Sequence, residues 1–486
     1  MAINITVDNR IRIARQDIDS DLERQLKLEF THENPKREAL RRMGLPHWGE
    51  PKRFETWGET EDELSLPRGG MPRVRKILED AGVHRRVIDR RVQGSPEGRQ
   101  IPKHSMKLYG YQEEAVRVCC DRECGLMRAP TGCGKTTVGF AIASRLKVAT
   151  LVIVYNAGLF DQWCKRAERE LGIDDIGVIR GNKRKLRPLT IAMQQTINAR
   201  GVDAEMAQYF GNVIQDEVQR APARTAFQAV DPFPARYRLG ISADNRRKDK
   251  LECLGHDLFG EVLIDIKRAD LIKSGHVLDV QVKIVPTDFE ADWYGMPTEE
   301  RPESEINTVK LTSEMMEDDA RNQLIFAVVA QEQRDEQVLV LSHRREHCMR
   351  LDQLFVAMGI KTGFLIGGEE NRVEFRRSVE GVERGTIRVG VGTFQAIGQG
   401  LDLPGVSVGV CATPIASNRQ VFNQVRGRFC RTSKGKQDAR LYYLWDQHVF
   451  GIKHVQNIVQ WNANVVVMND RGEWIEGREF LRLQGV

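Results

Sequence analysis

Residues 129–137 read Ala-Pro-Thr-Gly-Cys-Gly-Lys-Thr-Thr, and this stretch limits the folds open to the chain more than any other. Gly134-Lys135-Thr136 closes a glycine-rich loop, and the following TTVGFAIASRL has helical spacing. Backbone N–H groups of such a loop and of the helix start cradle phosphates. The expected phosphate-binding set is therefore Thr131, Gly132, Cys133, Gly134, Lys135, Thr136 and Thr137. Lys135 is expected to reach the β and γ phosphates and the Thr136 hydroxyl to bind Mg²⁺. Ala129 stands where the usual pattern has its first glycine.

The surroundings suit a loop of this kind. From about 104 to 275, short apolar runs at 149–155, 189–193, 211–215 and 237–242 alternate with stretches of helical spacing. That alternation predicts a parallel sheet covered on both faces. Residues 286–320 break it with an acidic, proline-containing stretch. It resumes after Arg321 with runs at 337–342, 363–368, 387–393, 406–413 and 439–446. A small hairpin is expected at the C-terminal end. The expected organisation is an N-terminal domain over 1–100, an α/β domain over 101–280, an acidic linker or insertion over 281–320 and a second α/β domain over 321–486.

Composition narrows the class. The 486 residues, 41% hydrophobic and 29% charged, suit an ordinary globular protein of about three domains. No apolar run is long enough to cross a bilayer, and the first fifteen residues lack a signal-peptide core, so a cytoplasmic location is expected. Nine cysteines without a CxxC pair suggest neither a disulfide framework nor a zinc site. The net charge of +5 is compatible with a polyanionic partner. From Arg68 to Lys107, eleven Lys or Arg face four Asp or Glu. Within that stretch Arg85, Arg86, Arg90 and Arg91 recur at helical spacing, a candidate phosphate-contacting face.

Two further elements complete a hydrolytic site. Asp216-Glu217 follows the apolar pair Val213-Ile214 at the end of a candidate strand. Asp216 is placed to hold Mg²⁺, and Glu217 to orient and deprotonate the attacking water. In QVRGRFCR, Arg428 and Arg431 lie three apart and would share one face of a helix. Positive charge delivered to the departing γ phosphate is the role of an arginine finger. These arginines lie in the second α/β unit, so they would act on ATP across an interdomain cleft that closes on binding and reopens on hydrolysis.

In this order the segments resemble the motifs of superfamily 2 helicases of the DExH type. LYGYQEEA is similar to the adenine-side motif, with Gln112 in the reading position, and APTGCGKT to motif I. VIVYNAGLFDQW and TIAMQQTI resemble motifs Ia and Ib, DEVQ motif II, and RLGISADNRRKD motif III. VLVLSHRREH resembles motif IV. GTFQAIGQGLDLP resembles motif V, with Thr393, Gly400 and Asp402 in place, and QVRGRFCR motif VI, with Gln424, Gly427, Arg428 and Arg431. The likeness covers about 105 to 450. Within the superfamily the phage recombination helicases and XPB-like enzymes are most similar, through Leu66-Pro67-Arg68-Gly69, Arg321-Asn322-Gln323 and ISADNRRKD. The N-terminal region resembles, more loosely, the small DNA-recognition domain of such phage enzymes. The resemblance implies two tandem RecA-like domains with parallel sheets behind a small N-terminal domain. It also implies ATP and Mg²⁺ as cofactors, with Asp402 at the nucleotide, and single-stranded, duplex or branched DNA as partner. Three positions depart from the pattern: Gln219 ends motif II, Asp244 replaces the usual Thr of motif III, and Tyr109 stands where an Arg is common. Gln219 still donates and accepts hydrogen bonds, so a changed coupling network is expected.

Motifs Ia, Ib, IV and V imply a strand-holding set of Asn156, Gln194, Gln195, Arg344 and Thr393, which would position phosphates without reading sequence. Arg85, Arg86 and Arg90 join them. The expected function is an ATP-driven DNA helicase or translocase, in branch migration or fork remodelling. An ATP-gated clamp or assembly subunit and an RNA helicase are the alternatives.

Overall fold

Parallel strands are stable only when both faces are covered, and their side chains then read as continuous apolar runs. Thr150–Val154 is such a strand, buried at every position. In the computed structural model, which describes residues 2–219, 223–243, 251–291, 293–294, 308–366, 372–395, 403–433 and 435–486, it lies inside an eight-stranded sheet. The order is Lys183–Lys185, Gly177–Arg180, Leu189–Met193, Thr150–Val154, Asn212–Gln215, Tyr237–Ser242, Cys124–Arg128 and Val262–Asp265. Every pairing is parallel except the edge hairpin formed by the first two.

A second eight-stranded sheet runs Thr362–Leu365, Val389–Thr393, Val338–Ser342, Val408–Cys411, Ala439–Asp446, Val280–Thr287, Val465–Met468 and Trp474–Glu476. Its pairings are again parallel except the last, the expected C-terminal hairpin. The expected α/β class with two tandem parallel-sheet domains is thus present. The chain divides into two compact units, Met1–Pro130 with Gly134–Arg268, and Thr131–Cys133 with Ala269–Val486.

The expected linker over 281–320 needs correction. Val280–Thr287 is a strand of the second sheet, with Val280, Val282, Ile284 and Val285 buried. Thr308–Glu317 is a helix, and its Leu311 and Met315 pack with Phe289 and Val449. Pro286 and the acidic residues beyond it hide this strand in the sequence, because proline is rare inside a sheet. Arg321, with a fully buried side chain, donates to Asp446 at 2.7 Å through Nε and to the Ala412 carbonyl at 2.6 Å. Thr287 Oγ1 donates to the same carboxylate at 2.7 Å. One buried acid thus joins the strands Val280–Thr287 and Ala439–Asp446 to the helix Asp319–Glu332.

The N-terminal residues form a five-stranded mixed sheet, ordered Gly58–Glu59, Glu63–Pro67, Arg10–Ala14, Ala2–Val7 and His84–Asp89. Leu26 and Phe30, with Val74 and Leu78 of the helix Met71–Asp80, cover it. The expected helical arginine face is not there. Arg85 and Arg86 lie on the edge strand His84–Asp89, paired parallel to Ala2–Val7, and Arg90 follows it. Side chains on a strand alternate between faces, so Arg85 and Arg86 point apart. Arg85 meets Glu79 at 2.9 Å, and Arg91 bridges Asp89 and Glu123. The isoleucine and valine between these arginines, paired with an apolar first strand, outweigh their helical spacing.

This N-terminal layer belongs to the same compact unit as the first eight-stranded sheet. Asp257, buried on the helix Glu252–Phe259, accepts three bonds of 2.6 Å, from His32 Nε2, Thr56 Oγ1 and Arg73 Nη2. Arg238, also buried, donates to the carbonyls of Asn9 at 3.1 Å and Phe233 at 2.7 Å. Arg68 donates to the Ala235 carbonyl at 2.6 Å. A Cβ on Gly69 would stand 2.4 Å from the Gly260 nitrogen and 2.6 Å from the carbonyls of His256 and Asp257. The Leu-Pro-Arg-Gly segment is therefore a docking clasp.

Burial alone would lower the His32 pKa, but its hydrogen bonds and Asp257's charge raise it to about 9. His32 therefore docks as a cation, and its contribution to stability is complete below about pH 6.5, the unfolded value. It is lost as pH rises through about 9. We expect the difference in urea midpoint between the wild type and His32→Gln to be large at neutral pH and to vanish above that value. A constant difference across the range would contradict the charged clasp.

Candidate active site

The strand Cys124–Arg128 delivers the chain to the loop, and the helix Lys135–Leu146 leaves it. Gly132 and Gly134 have φ of 93° and 83°, a region that favours glycine. The helix start carries no side-chain cap, so its N–H groups are not satisfied in that way. Gln112 folds over the loop. A Cβ on Gly134 would stand 2.5 Å from Gln112 Nε2, and Gln112 Oε1 accepts from the Tyr109 amide at 3.0 Å.

Because Asn212–Gln215 runs parallel to Thr150–Val154 and Tyr237–Ser242, its C-terminal end brings Asp216 and Glu217 to the edge where the loop lies. Lys135 Nζ stands 2.6 Å from Glu217 Oε1. Glu217 has φ of 50°, a left-handed conformation that costs a glutamate on the order of 1 kcal/mol. Three bonds hold it there. Its amide donates to Asp216 Oδ1 at 2.8 Å, and its carboxylate meets Lys135 on one oxygen and Gln219 Nε2 on the other. Gln219 Oε1 in turn accepts from Ser242 Oγ at 2.7 Å. A continuous relay thus runs Lys135, Glu217, Gln219, Ser242. Asp244 lies outside the described residues.

Asp216 is buried, and its other oxygen accepts from Trp163 Nε1 at 2.9 Å. Burial, with Glu217's charge beside it, raises its pKa against the pull of Lys135 and the Trp163 bond. Trp163 is itself fully buried, edge-on to Phe140 at 4.8 Å, and it lies against Gly139, where a Cβ would meet its ring at 2.5 Å. Trp163 closes the VIVYNAGLFDQW segment and lies on the apolar face of the helix Ala157–Leu171, a position that reads in sequence as ordinary core. Arg166 of the same helix donates to Thr137 Oγ1 and, at 2.6 Å, to Glu170. Burial pushes the Glu170 pKa up, yet Arg166 and His104 hold it below the usual range. Arg166 thus links the phosphate loop's helix to that of motif Ia, another contact the sequence did not reveal.

The other expected residues divide. Asn156, Gln194 and Gln195 do come together, beyond the ends of the paired strands Thr150–Val154 and Leu189–Met193. Gln194 is buried, however. Its amide donates to Thr225 Oγ1 and its carbonyl accepts from Gln215, each at 3.0 Å, so it braces the interior and offers no surface to a strand. Asn156 Oδ1 caps the helix Ala157–Leu171 through the Leu159 amide. Gln195 is exposed and donates to the Tyr155 carbonyl at 2.6 Å. In the second unit, Arg344 precedes the helix Arg345–Ala357 and Thr393 ends the strand Val389–Thr393. Asp402 lies outside the described residues. The expected shared helical face of Arg428 and Arg431 is corrected. The helix Arg419–Phe429 holds Arg428 but stops short of Arg431, which forms an isolated bridge with Val277.

The loop, its lysine, the Thr136 hydroxyl and the paired Asp216-Glu217 fit a nucleoside triphosphate with Mg²⁺. A hydroxyl and one carboxylate are oxygen donors, and Mg²⁺ usually takes few protein ligands beside substrate phosphates. Such a site on a two-sheet chain defines an ATP-hydrolysing enzyme of the P-loop class. The family model described as "Type III restriction enzyme, res subunit" matches residues 105–246, and "Helicase conserved C-terminal domain" matches 319–433. The chain is 25% identical to the "Probable helicase D10" of Escherichia phage T5, over 74% of this chain and 76% of that protein. It is 27% identical to a "DNA 3'-5' helicase XPB" of Kineococcus radiotolerans, over 72% of this chain and 62% of that one. A fragment of an HsdR subunit of a type I restriction enzyme from Vibrio vulnificus shares the fold, with a TM-score of 0.54 at 17% identity over 82% of this chain and 75% of that one. The chain belongs to the superfamily 2 helicases and resembles their phage and XPB-like members. Among the described residues, no helix is long and apolar enough to cross a membrane.

Trp163→Phe keeps an aromatic ring beside Gly139 and removes only the N–H. Losing one hydrogen bond to a charged group costs ~1.5–3 kcal/mol. ATP turnover is expected to fall by roughly ten-fold or more, and the Mg²⁺ concentration for half-maximal rate to rise. Titrating Mg²⁺ in a steady-state ATPase assay checks this, and unchanged curves would contradict the role given to Trp163.

Proposed function

We propose that the chain is a DNA motor, a helicase or translocase that couples ATP hydrolysis to movement along DNA and acts in fork remodelling or branch migration. The observation that carries this is the relay from Lys135 through Glu217 and Gln219 to Ser242. It ties the hydrolytic pair to the strand Tyr237–Ser242, so a change at the γ phosphate has a fixed route into the sheet. DNA as the track, and movement in the 3′ to 5′ sense, are supported by the printed names of the XPB relatives. Thr136 and Asp216 would hold Mg²⁺, which would supply charge neutralisation to the phosphates. Lys135 leaves Glu217 for the β and γ phosphates. Glu217, freed of its partner and still held by Gln219, accepts the proton of the attacking water. Arg428 and Arg431 act on the charge that develops at the γ phosphate. Exposed Gln195, with Arg344 and Thr393, contacts the strand's phosphates, and Arg86 and Arg90 add to the basic surface.

Strand displacement on labelled forked duplexes tests the proposal. The wild type is expected to separate strands with ATP, whereas Lys135→Ala binds DNA yet neither turns over ATP nor unwinds. Arg431→Ala is expected to slow turnover by ~10³-fold with little loss of affinity for a non-hydrolysable analogue. DNA-stimulated ATPase without displacement or movement would favour an ATP-gated clamp, and unwinding of RNA alone would move the track to RNA.

A further inference from the structure

The chain makes an excursion between the short paired strands Thr31–Glu33 and Arg53–Glu55. It carries the helix Pro35–Arg42, none of whose residues is buried. At its far end Trp48 is 86% exposed, with Met43 at 67% and Leu45 at 48%. A tryptophan left so bare is unusual, since its ring is among the largest apolar groups a fold can bury. The segment is nevertheless well braced. Asn34, buried, accepts from the amides of Lys36 and Arg37 and donates to the Pro51 carbonyl at 2.9 Å. Arg37 Nη1 donates to the carbonyls of His47 and Glu50 at 3.2 and 2.5 Å. The polar scaffold fixes the shape and leaves the apolar side chains outside it.

The base of this excursion is fastened to the motor. His32 and Thr56, on its two legs, both bond the buried Asp257. Phe54 packs on Leu251 and Leu254. The mount is therefore rigid with respect to the unit that holds Lys135, Asp216 and Glu217. Its charge points to the occupant: residues 34–53 hold six Lys or Arg and two Asp or Glu. Glu38 is spent on Arg41 and Arg42, and Glu50 on Lys36.

We propose that residues 34–52 are a wedge that seats on the end of a DNA duplex where its strands part, with Trp48 stacked on the last base pair and Arg41 and Arg42 beside the flanking phosphates. A flat ring at the apex suits the face of a terminal pair, which every sequence presents, and the excess positive charge suits a polyanion better than an apolar protein patch. A fixed mount is what a wedge needs, because a pull on the strand then drives the duplex against a surface that does not yield. The proposal rests on the DNA-motor assignment above.

The test uses the full chain with Trp48→Ala and Trp48→Phe. On a forked duplex, Trp48→Ala is expected to displace strands about ten-fold more slowly than the wild type. ATPase stimulated by single-stranded DNA stays unchanged, and Trp48→Phe recovers most of the displacement. A fluorescent adenine analogue in the terminal pair gives a second measurement without ATP. Wild-type binding changes its emission and Trp48→Ala does not. Displacement and junction signal like those of the wild type in Trp48→Ala would overturn the wedge, leaving the patch to a protein partner. Parallel loss of single-strand ATPase and of the Trp48→Phe rescue would overturn it in favour of a role in folding. If the wild type displaces no strand but the junction signal depends on Trp48, the duplex contact stands and the motor assignment falls.

Discussion

A carboxylate withdrawn from water must be met by donors, and the placement of Asp216 follows from that requirement. One oxygen takes the Glu217 amide and the other the Trp163 indole N–H. The first bond bends the chain into the left-handed turn that aims Glu217 at Lys135. The second requires Trp163 to cross the phosphate loop's helix at Gly139, the position where a side chain would block it. The helix Lys135–Leu146, the helix Ala157–Leu171 and the acidic pair are thus fixed relative to one another, as catalysis by positioning and electrostatics demands.

The same device recurs where no chemistry takes place. Asp257 gathers His32, Thr56 and Arg73 and makes the N-terminal layer continuous with the first motor sheet. Asp446 gathers Arg321 and Thr287 and locks the second sheet. Removing the partners of such a group leaves an uncompensated buried charge, usually a larger loss than the intact pair contributes. The N-terminal region is therefore part of the motor's framework as well as a surface beside it.

Local patterns carried much of this. Continuous apolar runs located nine strands of the two sheets, and Lys135, Thr136, Asp216 and Glu217 were legible because loop and strand-end chemistry confines them to short motifs. What escaped was set by distance or by conflict between signals. Trp163 and Asp216 are 53 residues apart, and His32 and Asp257 are 225 apart, with no local pattern to join them. Val280–Thr287 was masked by Pro286 and the acids after it. The arginines at 85–91 had helical spacing, yet Val87 and Ile88 and an apolar partner strand made the segment an edge strand. Motif Ib implies Gln194 as a strand contact, but the neighbouring Gln215 and Thr225 satisfy it inside.

If hydrolysis at Lys135 and Glu217 drives movement along DNA, turnover must depend on the length of the track. The most direct measurement is steady-state ATPase against single-stranded DNA of increasing length, at saturating strand ends. A motor that starts anywhere and leaves at an end spends more of its time hydrolysing as the track lengthens. For such a motor the rate is expected to climb with length toward a plateau. A rate independent of length, once the DNA is long enough to fill the binding site, would contradict it.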